Sequence, residues 1–258
     1  MGYEADTHAG GNSAKYIDLR ICMINGDMIL TKLLYPPRCP ACHDLVRGDG
    51  RICPECRKLL SYVTGPICCK CGKEIRFEEE ELCLDCRTHK KSFDGGIALL
   101  NYDDIARESM VKFKYGQRKE YGLFYAEEIA RLYESRIRRF AADGIVPVPV
   151  HISRLRFRGY NQAQVVAERL GELLSLPVFD KALLRTRKTV AQKELNAAQR
   201  MRNLMSVMKA GVEARGLRRV ILVDDIYTTG STMEACTRVL MAAGVEAVMP
   251  VCICIGRN

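Results

Sequence analysis

Tryptophan is absent from this chain and aromatic residues make up only 7% of it, so no extensive surface for stacking bases is advertised. No apolar run approaches the ~20 residues of a membrane span, and no segment has the basic, apolar, small-residue order of a secretory leader. A G-x-x-x-x-G-K-[S/T] loop is also missing: Gly72-Lys73 is followed by Glu74 inside a cysteine cluster. That excludes a P-loop nucleotide hydrolase. What remains is ordinary for a globular chain. Its 258 residues, 48% apolar and 28% charged, suffice for one domain of usual size and a smaller module.

Thirteen cysteines would suit a disulfide scaffold in a small secreted protein, but eight of them fall in Cys-x-x-Cys pairs. Metal-bound thiolates in a reducing cytoplasm are therefore the expectation. The pairs are Cys39/Cys42, Cys53/Cys56, Cys68/Cys71 and Cys83/Cys86. Each grips a metal ion from a tight knuckle, and two pairs complete a tetrahedral sulfur site. Sequential pairing gives two zinc ribbons, 39/42 with 53/56 and 68/71 with 83/86. A crossed pairing fits the same spacing, the number of structural Zn2+ ions is one or two, and Cys69 can stand in for Cys68. The C-P-A-C and C-P-E-C sequences are shared with redox motifs, yet four all-thiolate pairs in series point to structure rather than catalysis. His43 and His89 are read as bystanders. The module is poor in apolar residues, so its metal is expected to hold it together.

Charge is unevenly placed. The chain carries a formal +9, while residues 151–219 alone carry +10, leaving the rest near neutral. Such a segment suits a ligand with several phosphates and a nucleic-acid surface equally, and a solvated face shows the same pattern.

The most informative stretch is Val220 to Thr232, V-I-L-V-D-D-I-Y-T-T-G-S-T. Val220–Val223 reads as a strand buried on both faces. Asp224 and Asp225 at its end require a crevice, which is where open α/β sheets hold ligands. Thr228, Thr229, Gly230, Ser231 and Thr232 supply backbone N–H groups and hydroxyls for a phosphate, with Gly230 allowing close approach. Ser231 to Ala243 reads as a helix with Ser231 as its N-cap and Gly244 just past its end. The two acids cannot face the phosphate. They are placed for sugar hydroxyls or for a magnesium ion, so the implied ligand contains a ribose 5-phosphate.

In chain order, residues 1–35 read as a tail and a short helix over Met28–Tyr35 that stops at Pro36-Pro37. The zinc module occupies 36–92 and an α/β domain 93–258. Within the latter, Ile97–Tyr102 reads as a strand. A helix capped by Asp103 or Asp104 runs to Tyr115, and another spans Glu120–Phe140 with Tyr121, Phe124, Ile129 and Leu132 apolar. Ile145–Val150 reads as a strand that Pro147 and Pro149 force to bend or to lie at an edge. The loop after it carries His151, Arg154, Arg156, Arg158 and Gly159, a set suited to pyrophosphate, and Asn161 caps a helix to Leu174. Val178–Arg187 reads as extended, and Val245–Cys254 as the last strand. Cys236, Cys252 and Cys254 read as core thiols.

The thirteen residues from Val220 resemble the phosphoribosyl pyrophosphate (PRPP) signature of type I phosphoribosyltransferases. The four cysteine pairs, K-F-K-Y-G (112–116), V-P-V-P-V-H-I-S-R-L-R-F-R-G-Y-N-Q (146–162) and Q-K-E-L-N-A-A-Q-R-M-R-N (192–203) resemble the ComF family, a competence-associated group, from about Leu33 to Ile255. That resemblance implies a mostly parallel sheet with flanking helices behind a double zinc ribbon, which by chain order stands where such transferases carry a hood over the acceptor. It implies Mg2+-bound PRPP, with pyrophosphate on residues 151–159 and a closing flexible loop bearing Gln192, Arg200 and Arg202. It also implies DNA uptake, in a cytoplasmic protein without membrane insertion. Single-stranded DNA and other competence proteins are then expected partners. No catalytic base and no acceptor are assigned, and a non-catalytic DNA-binding factor is the alternative.

Overall fold

The computed structural model describes residues 36–48, 50–187 and 197–256, with only the backbone of 197–200. The expected N-terminal tail and first helix, and Gln192, lie outside the described residues. In chain order the elements are α1 (Pro54–Leu59), α2 (Leu84–Thr88), β1 (Ile97–Asn101), α3 (Asp104–Tyr115), α4 (Glu120–Phe140), β2 (Gly144–Pro147), α5 (Ile152–Arg158), α6 (Gln162–Leu174), β3 (Leu183–Arg185), α7 (Ala197–Val207), β4 (Met208–Ala210), β5 (Arg219–Tyr227), α8 (Ser231–Ala242) and β6 (Ala247–Ile255).

Four of the strands form a parallel sheet in the order β1-β6-β5-β2. The V-I-L-V run lies at its heart, with Val223 paired to Val251 on one side and Pro147 on the other. Strand alternation sends Ile221 and Val223 into one core and Val220 and Leu222 into a second. The first core is closed by α3, α4 and α6 through Phe113, Phe124, Ile129 and Leu170. The second is closed by α8 through Met233, Cys236 and Leu240, and by the two-stranded antiparallel β3–β4 sheet. Cys236 and Cys252 are buried in this second core and Cys254 in the first, as expected of core thiols.

Local signals explain the ends of most elements. Asp103 caps α3 by accepting the N–H of Ala106 at 2.9 Å, and Asn161 caps α6 by accepting that of Ala163 at 3.2 Å. Pro147 is tolerated because β2 is the outer strand and ends there, three residues short of the expected Val150. Leu132 is 41% exposed, against expectation, because the buried line of α4 runs through Tyr125, Ile129 and Ile137. The extended Val178–Arg187 segment narrows to β3, whose partner β4 carries no period-two signal in its three residues.

The zinc module is not a separate bead. From Pro37 onward the chain is one compact unit. Its linker runs antiparallel along the open edge of β1: Asn101 donates to Ser61 O at 2.8 Å, and Val63 donates to Leu99 O at 3.0 Å. That covers an edge otherwise left with unpaired groups. The first ribbon contributes Cys39, Val46, Ile52 and Leu60 to the first core, and the second contributes Val63, Cys68, Cys71 and Phe93 to the second. The expectation that the module lacks apolar residues of its own holds only for an isolated ribbon. Among the described residues no helix is long and apolar enough to cross a membrane.

Candidate functional site

Two clusters of four thiolate donors stand among the described residues, Cys39/Cys42/Cys53/Cys56 and Cys68/Cys71/Cys83/Cys86, each with its sulfurs within 4.8 Å of one another. The pairing is therefore sequential, and Cys68, not the exposed Cys69, belongs to the second set. Sulfurs around a tetrahedral zinc at about 2.3 Å lie about 3.8 Å apart. The Sγ distances Cys42–Cys53 at 3.9 Å and Cys71–Cys83 at 3.6 Å fit that ion. Thiols this close share protons: Cys71, Cys83 and Cys86 pull Cys68 far below its ordinary value, and Cys71 is pushed up in turn. Neither bystander histidine joins a cluster. His43 Nδ1 lies 2.9 Å from the Tyr121 hydroxyl, and His89 Nδ1 lies 3.3 Å from Asp85.

The second site lies at the carboxyl end of β5. The strand does not stop at the acids but continues to Tyr227, so Asp224 and Asp225 project from opposite faces of a paired strand. Asp224 accepts the N–H of Asp225 at 2.8 Å. Burial, and then the charge of Asp225, push the Asp224 carboxyl up to about 7, against the pull of Lys114 and Arg185. Asp225 is held by Lys114 Nζ at 2.9 Å, with both side chains more than four-fifths buried.

Asp224 and residues 226–233 line a small concavity open to solvent. Gly230 has φ +69° and is itself the N-cap of α8, so Ser231 is the first helical residue rather than the cap. Its hydroxyl lies 2.9 Å from that of Thr229. A Cβ at Gly230 would sit 2.1 Å from the buried Tyr227 hydroxyl, so both conformation and space demand glycine. Thr228 and Thr229 are exposed, and Ser231 and Thr232 half-buried.

The segment after β2 is helical rather than an open loop. His151 is its cap, its Nδ1 accepting the N–H of Ser153 at 3.2 Å. Arg154 and Arg156 are exposed. Arg158 instead turns inward, donating to Gln162 at 2.9 Å and Tyr115 at 3.1 Å with its guanidinium 5.0 Å from the Tyr115 ring centre. Gly159 has φ +80° and open space around it, so it ends the helix rather than admitting a close neighbour. Arg202 is exposed on α7, which also bears Arg200, whose side chain lies outside the described residues.

K-F-K-Y-G and R-G-Y-N-Q interlock here. The Phe113 carbonyl accepts from the Tyr160 hydroxyl and from Gln162 at 3.4 Å, while Asn161 donates to Val148 O at 3.0 Å. Sequence reasoning gave Lys114, Tyr115 and Arg185 no role. Burial and then the like charge of Arg154 pull Arg185 below its ordinary value, with Cys236 and Asp224 acting the other way. Arg185 thus feels the charges of both Arg154 and Asp224.

A mixed α/β fold with a mostly parallel sheet, flanking helices and a Cys-rich zinc-ribbon region is the class these features define. Residues 30–87 match the double zinc ribbon domain family. The chain is 28% identical to competence protein F of Haemophilus influenzae over 82% of its own length and 93% of the relative's. It is 27% identical to competence protein ComFC of Bacillus subtilis over 79% and 83%. With the DNA utilization protein YhgH of Escherichia coli it shares 27% over 84% and 89%. The chain is thus similar over most of its length to proteins named for competence and DNA utilization.

Proposed function

We propose that the chain binds magnesium–PRPP at the carboxyl end of β5 and acts in the handling of DNA, a reading supported by its similarity to relatives named for competence and DNA utilization. Asp224 and Asp225 hold the ribose diol or its magnesium, and residues 228–232 hold the 5-phosphate. Arg154, Arg156 and Arg185 face the pyrophosphate, with Arg200 and Arg202 following in the chain. Phosphoribosyl transfer would then proceed by displacement of pyrophosphate, with the protein supplying position and charge. The observation that carries this reading is the convergence of an acid pair, a hydroxyl-rich loop ahead of a helix and a cationic segment at one end of one sheet. Competition tests it. Ribose 5-phosphate and pyrophosphate should each displace labelled PRPP, and Gly230→Ala should abolish the first displacement. PRPP retained by Gly230→Ala at wild-type affinity would refute the phosphate assignment.

A second reading is favoured by one feature. Tyr115 and Phe157 are 56% and 78% exposed with ring centres 6.3 Å apart, and Arg154 and Arg156 lie on the same short helix as Phe157. Exposed rings among arginines suit single-stranded DNA, each stacked base contributing about 1–3 kcal/mol. Under this reading the chain is a non-catalytic DNA-binding competence factor with other competence proteins as partners. Phe157→Ala should weaken single-stranded DNA about tenfold or more and leave PRPP binding unchanged; unaltered DNA affinity would remove this reading.

A further inference from the structure

The second ribbon touches the loop proposed to hold phosphate. Lys91, five residues past the ligand Cys86, has its side chain 94% buried and donates from Nζ to the carbonyl of Thr229 at 3.0 Å. The same Nζ lies 3.0 Å from Asp85, which sits between the ligands Cys83 and Cys86 on α2. Next to it, Ser92 donates its N–H and its hydroxyl to the two carboxylate oxygens of Glu234, at 2.7 and 2.8 Å. Glu234 is 1% exposed in the first turn of α8. Phe93 meets the ring of Tyr227 edge-on at 6.3 Å, and the Tyr227 hydroxyl lies under Gly230. Three consecutive residues of the ribbon therefore reach the start, the middle and the far side of one turn.

The turn has few other anchors. Among the described contacts, residues 228–230 are fixed through Lys91, the Thr229–Ser231 hydroxyl pair and the Gly230 carbonyl that opens α8. A buried ammonium needs a fixed partner, and Asp85 is one only while its flanking zinc ligands Cys83 and Cys86 hold the first turn of α2 in place. Lys91 also adds a positive charge next to N–H groups aimed at an anion.

We propose that Lys91 is the positioning residue of the phosphate loop, and that zinc in the Cys68/Cys71/Cys83/Cys86 site and an anion on residues 228–232 bind cooperatively through it. The anion half rests on the PRPP reading; the anchoring half does not. Linkage makes the effect reciprocal: a factor of about 5–150 in PRPP affinity between zinc-loaded and zinc-depleted second site must return as the same factor in zinc affinity with PRPP bound.

The test uses the full zinc-loaded chain, with zinc content measured for every sample. Hydrogen exchange of residues 227–234 and magnesium–PRPP affinity are compared in wild type, Lys91→Ala and the milder Ser92→Ala. Zinc affinity by chelator competition is measured with and without magnesium–PRPP. The expected result is full zinc content, faster loop exchange and at least fivefold weaker PRPP in Lys91→Ala, partial recovery in Lys91→Arg, and tighter zinc when PRPP is present. Unchanged loop exchange in zinc-loaded Lys91→Ala overturns the anchoring. Faster exchange in a protein whose wild type ignores PRPP overturns the cooperativity and the ligand reading while leaving the anchor. Zinc affinity indifferent to bound PRPP overturns the cooperativity alone.

Discussion

At the scale of single residues, the site is assembled from groups that burden the fold. Asp224 titrates near 7 where an ordinary aspartate titrates near 3.8, because burial and then Asp225 penalise its charge. The folded chain therefore keeps a proton that the unfolded chain has released, and this contribution to stability is full below about pH 4 and lost as pH rises through about 7. Asp224→Asn removes the penalty. The ligand-free variant should be more stable than wild type at pH 8, by on the order of a few kcal/mol, and so melt higher, and the difference should shrink towards pH 5. Melting curves at the two pH values decide it, and a variant no more stable at pH 8 would contradict the burial argument. Gly230→Ala works in the opposite sense. A side chain there meets both a positive φ and the Tyr227 ring, so a loss of about 2–4 kcal/mol is expected in urea denaturation.

Elements bring those residues together, and here the sequence was only partly legible. The strand of V-I-L-V, the cap residues Asp103 and Asn161, and α4 from Glu120 to Phe140 could be read because apolar period and capping chemistry are local signals. The role of Lys114 could not, since it depends on the last turn of α3 coming within reach of Asp225 on β5, a residue 111 positions further along the chain. Nor could the inward turn of Arg158, an arginine in a basic run until Tyr115 and Gln162 surround it. The helical state of 152–158 was hidden because Gly159 reads equally as a loop residue and as a helix stop. The interlock predicts that Arg158→Ala, which strands Tyr115 and Gln162, costs about 2 kcal/mol, whereas Arg156→Ala on the same helix costs less than about 0.5. Equal costs in urea denaturation would mean that Arg158 is as free as its neighbour.

On the scale of the whole molecule, the two ribbons are built into the two cores on either face of the sheet, joined across the β1 edge. Glu128 strengthens the first attachment: burial would raise its carboxyl, but Arg131, Tyr62 and Arg57 hold it below the ordinary value. Its contribution is present above its unfolded value of about 4.5 and lost on further acidification. Two zinc ions per chain are expected from two four-cysteine sites. Their removal by a strong chelator should lower and broaden the melting of the entire unit, since structural zinc contributes folding energy directly. A calorimetric transition of the α/β core left untouched by chelation would show the ribbons to be appendages. The central claim, that the acids and the hydroxyl-rich loop form a PRPP site, is most directly tested by calorimetric titration of the zinc-loaded chain with magnesium–PRPP, beside Asp224→Asn/Asp225→Asn. One saturable site per chain, lost in the variant while its zinc and fold are retained, is the predicted result. Absence of binding to the folded wild type, or equal binding by the variant, would contradict it.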